Sequence, residues 1–355
     1  MKGRFDLKRS EWIDSCRFFA IFVIMVTHFI AAVKPEVLLL WESPPSSWLL
    51  YGLTGKFSVA FFFVLLGYFA SKPVKFKPGF FVSYALRRYL QFSFYILLCT
   101  IFFIGGSYIV TWLFHSPESA VLRVISDGFR YNIIYLLRDV FLFEDNYNAT
   151  LWCMQQLFTA SLICKCFAFI PESISRTFRV AIAALVMLFL MITDADFFVW
   201  VCAGIMGYIL RLVLELLNET NFIQSKAMSL ICFVLALVLI KFKLEEGVLQ
   251  YSLQSVAAFL LILAQFQLPS VQRLLSCSPL PWLGGISMGL FVAHTPINEL
   301  LLSSIYPLLQ SIISDTAAQF ICFIISLAAC VFAAWLIGKL YSSCQKLFTR
   351  ETVKV

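Results

Sequence analysis

Residues 12–33 read WIDSCRFFAIFVIMVTHFIAAV, an apolar run interrupted by Asp14, Arg17 and His28. As a helix, a run of this length spans the roughly 30 Å of a bilayer's hydrocarbon core. An ionisable side chain inside such a span costs roughly 2.5 to 3.5 kcal/mol on insertion scales, so its presence marks a function. At about 100° per residue, the steps from Arg17 to His28 make three turns plus roughly 20°, which places both on one face about 16 Å apart. Asp14, one turn before Arg17, joins that face. The spacing therefore predicts a stripe of acid, base and imidazole turned toward protein or water and away from lipid.

The rest of the chain has the same character. Of its 355 residues 61% are hydrophobic and 13% charged, with a mean hydropathy of +0.88. Soluble domains carry about 25% charge, so the composition predicts a polytopic membrane protein. The runs are long, rich in Phe and not alternating, which favours helices over an outer-membrane barrel. A net charge of +7 without a basic low-complexity tail gives no support to a nucleic-acid partner. Eleven cysteines occur without a CxxC pair, Cys164 and Cys166 being the closest, which predicts buried thiols in place of a disulfide or metal framework. Cys16 beside Arg17 points to another face and is not read as an activated thiol. The N-terminal MKGRFDLKR is basic, but no small-residue cleavage site follows, so the first helix is read as retained.

Ten spans are expected, near 12–33, 51–70, 87–114, 151–170, 180–193, 197–214, 227–240, 248–266, 280–300 and 316–341, giving an all-α, multi-pass protein with both termini cytoplasmic. Of 27 Lys and Arg, this topology leaves outside only Lys34, Arg123, Arg130, Arg138, Lys241 and Lys243, and within spans only Arg17 and Lys56. The other 19 lie at the inner side, as the positive-inside rule requires. Residues 115–150 read as an outer segment. Arg123, Arg130 and Arg138 recur at steps of seven and eight, forming a basic edge on an interfacial helix that is either a lid or acceptor-binding element or an amphipathic connector. Gly128 argues against one continuous helix. The sequons at Asn148 and Asn218 carry no weight. No repeat or soluble domain is visible, and the chain ends soon after the tenth helix, so no fused periplasmic domain is expected.

Arginine, ten residues and histidine in a first membrane helix resemble the signature of the acyltransferase family 3 membrane proteins, which move acyl groups onto surface polysaccharides. FFFVLLGYF at 61–69 resembles the family's Phe-rich second helix, with Leu66 in place of its serine and Gly67 retained. YALRRYLQF at 84–92 is similar to the basic start of its third helix, LWCMQQLF at 151–158 to its Leu-Trp helix start, and PLPWLGGISMGLFVAHTPI at 279–297 to its late Leu-Gly, Ser, aromatic and His-x-Pro segment. The resemblance implies an acyl-CoA donor such as acetyl-CoA, an acceptor hydroxyl on a surface glycan or its lipid-linked precursor, and a bacterial inner membrane in contact with lipid.

On that reading His28 removes the proton from the attacking hydroxyl, since imidazole titrates near neutrality, or carries the acyl group itself. Arg17 binds an anionic part of the donor through its fixed guanidinium fork, or pairs structurally with Asp14. Lys72, Lys75, Lys77, Arg87 and Arg88 gather where coenzyme A would arrive. Positive-inside topology also explains them, and Arg87 and Arg88 align with the family motif. His294 is expected at the depth of His28, binding substrate, or as a helix-end histidine before Pro296. Trp152 either stacks on a sugar or adenine or anchors a helix at the interface. No metal site is expected. Two rivals stand: a transporter or exporter of a glycan or small solute, since buried Arg, His and Asp also build proton paths, and a haem protein with His28 and His294 as axial ligands.

Overall fold

The computed structural model describes residues 11–33, 55–74, 79–114, 119–148, 150–219, 226–242 and 247–351, and among them it contains helices and no strand. In chain order they are α1 (Glu11–Val33), α2 (Gly55–Ala70), α3 (Phe80–Phe114), α4 (Ser119–Leu142), α5 (Trp152–Phe167), α6 (Arg176–Thr193), α7 (Ala195–Glu219), α8 (Lys226–Lys241), α9 (Val248–Phe266), α10 (Pro269–Leu275), α11 (Leu280–Gly285), α12 (Ser287–Leu302), α13 (Ile305–Gln310) and α14 (Asp315–Glu351). Six of them, α1, α3, α6, α7, α9 and α14, are long and apolar enough to cross a membrane; α2 is apolar but shorter, at 16 residues. The all-α membrane architecture is therefore as expected. Several boundaries differ by a few residues, and two bear on the site: the third helix begins at Phe80, so Arg87 and Arg88 lie two turns inside it, and the expected span at 280–300 is broken into α11 and α12.

The chain forms two compact units: Met1–Thr27, Glu36–Ala85 and Gln156–Gly284 make one, and His28–Pro35, Leu86–Gln155 and Gly285–Val355 the other. In the first, α2 and α7 form the most extensive helix pair among the described residues. A Cβ built at Gly67 would strike the backbone of Gly204, and one at Gly207 the backbone of Val64 and Tyr68. Small residues of this kind let helix backbones approach where lipid supplies no hydrophobic force. Helices α6 and α7 form a hairpin. Asp194 caps its turn by accepting from the Phe197 N–H at 3.1 Å, and the Arg176–Glu219 ion pair closes the open end. Leu185, Leu188, Phe189 and Ile192 point outward from α6, a stripe that suits lipid and would be a liability in water.

In the second unit α12 packs on α14, where a Cβ at Gly289 would lie 2.8 Å from Ala334, and Ser326 donates to the Asn298 amide oxygen. Helix α4 covers most of the expected outer segment. It runs antiparallel along α3: Val121 and Val124 pack with Phe103 and Val110, while Tyr89 donates to the Phe141 carbonyl at 2.7 Å and Phe92 meets the Phe143 ring. The segment returns to the Arg87–Arg88 end of α3. Gly128, at φ 72 and ψ 170, interrupts it as anticipated. The expected basic edge is partly spent on partners within the unit: Arg123 faces Asp127 at 3.7 Å and the Tyr135 and Tyr147 rings, and Arg138 pairs with Glu144 at 2.7 Å.

Candidate active site

Asp14 and Arg17 lie in the first unit. The Arg17 Nη1 donates to Asp14 Oδ1 at 3.1 Å, which bears out the ion pair, and the guanidinium lies 4.6 Å over the Phe69 ring. Lys72 Nζ sits 5.3 Å from the same ring, so the end of α2 gathers two cations at one aromatic ring. The position of α1 here is set by backbone contact. A Cβ on Gly284, in the Leu-Gly segment, would collide with the Asp14 O, C and Cα, the last at 2.9 Å. Cys16, a small hydrophobe on another face, lines an apolar cavity of about 180 Å³ with Phe19, Phe57, Phe61 and Gln265. Lys75 and Lys77 lie outside the described residues.

His28 belongs to the second unit and stands against His294, ring centroids 5.2 Å apart and edge to face. His294 is fully buried, and its Nδ1 lies 2.7 Å from the Phe291 carbonyl. A carbonyl only accepts, so the proton sits on Nδ1 and the Nε2 of the neutral ring keeps its lone pair. That Nε2 is buried without a partner among the described residues. Edge-to-face packing at this distance leaves no room for a porphyrin between the rings, which removes the haem reading. Nor is His294 at a helix end, since Pro296 lies inside α12. A proline has no N–H, so the Val292 carbonyl one turn earlier loses its helical donor. Asn148 takes that place, donating through Nδ2 at 2.8 Å, while its own amide oxygen accepts from the Thr150 N–H and hydroxyl. A buried side chain thus ties the segment before α5 to α12 two residues from His294.

The other expected residues are more dispersed. Arg87 is exposed; Arg88 donates to Gln91 at 2.9 Å and lies over the Phe92 ring. Trp152 is 40% exposed at the start of α5. Among the described residues no group of three His, Cys, Asp or Glu is arranged to hold a metal ion. The sequence reading missed Asn148, dismissed as a chance sequon, although the proline four residues after Val292 signalled an orphan carbonyl. It also passed over Lys165, Arg179 and Arg211, which were counted as ordinary inner-side cations and prove buried.

The family model described as an acyltransferase domain matches residues 10–336, nearly the whole chain. The chain belongs to acyltransferase family 3 and is a multi-pass membrane acyltransferase. No curated protein and no solved structure matches it.

Proposed function

We propose that the protein moves an acetyl or similar short acyl group from cytoplasmic acyl-CoA to a hydroxyl of a surface polysaccharide or its lipid-linked precursor, in a bacterial inner membrane. The observation that carries this reading is the pairing of His28 with the buried, neutral His294. The acceptor oxygen attacks the thioester carbonyl as His28 takes its proton; the tetrahedral intermediate collapses with loss of the coenzyme A thiolate. The lone pair of His294 Nε2 supports the imidazolium that forms on His28, at a place where a neighbouring cation would oppose it. On the same helix, eleven residues earlier, Arg17 holds an anionic part of the donor, and Arg87 and Arg88 assist its arrival. His294 and Trp152 contact the acceptor side. A glycan exporter finds less support, because it needs a wide polar path and the later helices offer few polar positions.

The test is mass spectrometry of surface glycans from cells with the intact gene, with the gene deleted, and with His28→Ala. An acyl mass lost in both altered strains is expected. An acyl mass that persists in His28→Ala refutes the base, and a fall in surface glycan without any acyl difference refutes the enzyme in favour of export.

A further inference from the structure

We propose that Lys165, Arg179 and Arg211, with the Tyr68 and Tyr208 hydroxyls, form a buried site for a phosphate group in the first unit. The three cations come from α5, α6 and α7, and each is less than 10% exposed. Among the described residues, the carboxylate bonded within this group is Glu215, which accepts from Arg211 at 2.9 Å. Lys165 has a carbonyl partner, Ala70 O at 3.4 Å, and the ring faces of Phe80 and Tyr84. Arg179 faces the Tyr208 hydroxyl, and its Nε is buried without a hydrogen-bond partner among the described residues. Lys165 and Arg211 are close enough to repel one another.

Positive-inside topology explains cations at helix ends, where their heads reach water. It does not explain three cations from three helices whose side chains are mostly buried around one carboxylate. A buried charge is expensive unless it is paired, and this group holds an excess of positive charge with donors to spare. A phosphate ester supplies what is lacking: negative charge and acceptor oxygens that match a guanidinium fork. The walls are stiff. Phe167 stacks flat on Tyr208 at 4.8 Å, and the Gly67–Gly204–Gly207 contact fixes Tyr68 beside Arg211 and Glu215. Tyr68 adjoins Phe69, the ring shared by Arg17 and Lys72. Two sources carry the required chemistry: the nucleotide phosphates of coenzyme A, which rests on the reading above, and the headgroup of an anionic phospholipid, which does not.

The experiment uses the full chain, purified in a phosphate-free detergent, with Arg179→Gln, Lys165→Gln and, as a surface control, Arg273→Gln. Coenzyme A binding is measured by calorimetry, and phosphatidylglycerol retention by native mass spectrometry and thermal shift. Loss of one charge-assisted contact is expected to weaken the occupying ligand about tenfold or more, with the control unchanged. Weakened coenzyme A binding assigns the site to the donor; unchanged coenzyme A with lost phosphatidylglycerol assigns it to lipid. Both outcomes support a phosphate site. If the folded variants bind both probes as the intact protein does, the proposal is overturned, whether or not His28→Ala abolishes acyl transfer. If Arg179→Gln does not fold, Lys165→Gln and Arg179→Lys decide by the same readouts.

Discussion

Gly284→Ala isolates a backbone contact from the chemistry it serves. The added Cβ would lie 2.9 Å from the Asp14 Cα and nearer still to the Asp14 carbonyl, all backbone atoms. Carbon atoms rest at about 3.5 to 4.0 Å, and the carbonyl is nearer still, so α1 or α11 must retreat by more than about 1 Å. No flexible side chain can absorb the displacement. Overpacking of this kind costs typically 1–3 kcal/mol, read as a melting temperature lower by several degrees in detergent. Arg17 sits one turn beyond Asp14 and moves with it, and a misplacement of about 1 Å in a positioning group can cost about 10²-fold in rate. The neighbouring Gly285, with nothing within 4 Å of its built Cβ, is the internal control. Both glycines are changed to alanine, and acylated glycan and thermal unfolding are followed for each. A Gly284→Ala protein as stable and active as the parent, or a Gly285→Ala protein equally impaired, refutes the contact.

Three further outcomes are expected. Asn148→Ala strands the Val292 carbonyl and should destabilise by roughly 1–3 kcal/mol; adding Pro296→Ala returns a helical N–H to that carbonyl, so the double variant should lose less than the two losses added, and strict additivity in chemical unfolding would reject the link. His294→Ala should depress kcat for acyl transfer while leaving coenzyme A affinity at its original value, whereas a raised Kd for coenzyme A would place His294 in donor binding. Arg17→Gln should raise KM for acetyl-CoA but not for an acetylated pantetheine lacking the nucleotide phosphates; an equal rise for both donors argues that Arg17 acts elsewhere than on phosphate.

The stripe on α1 was legible because charges in an apolar run stand out and helical geometry fixes their relation. What was not legible depended on partners remote in sequence. Helix α4 carries Arg123, Asp127, Arg130, Arg138 and Asp139, so its hydropathy reads as interfacial; only the fold reveals that Arg123 and Arg138 meet Asp127 and Glu144 and that Val121 and Val124 turn toward α3. Lys165, Arg179 and Arg211 each lie near the end of an apolar run, where a cation is ordinary. Their convergence depends on how α5, α6 and α7 pack, and no spacing within one helix encodes it. Asn148 is the intermediate case. Pro296 announces an orphan carbonyl, but the donor that answers it lies 144 residues away.

The residues that made the chain resemble its family divide into carriers of chemistry and makers of close contact. Gly67, Gly284 and Gly289 bear no reactive group, yet each sits where a Cβ would collide with Gly204, Asp14 or Ala334. Gly67 brings α2 against α7, beside Arg211; Gly284 sets the register of α1 at Asp14 and hence at Arg17; Gly289 seats α12 on α14 just over one turn before His294. A reactive group in a membrane can be no better placed than the helix that carries it, because lipid offers no hydrophobic force to press helices together and close backbone packing must do so. This also accounts for Leu66, where the resemblance of residues 61–69 implies a serine. Leu66 is buried within α2, and it is Gly67, one position on, that the α2–α7 contact requires. Tolerance of a changed residue at position 66 beside intolerance at 67 is what a contact-making role predicts, and Leu66→Ser compared with Gly67→Ala in thermal unfolding separates it from a catalytic one: the glycine variant should unfold earlier, and the serine variant should retain acyl transfer.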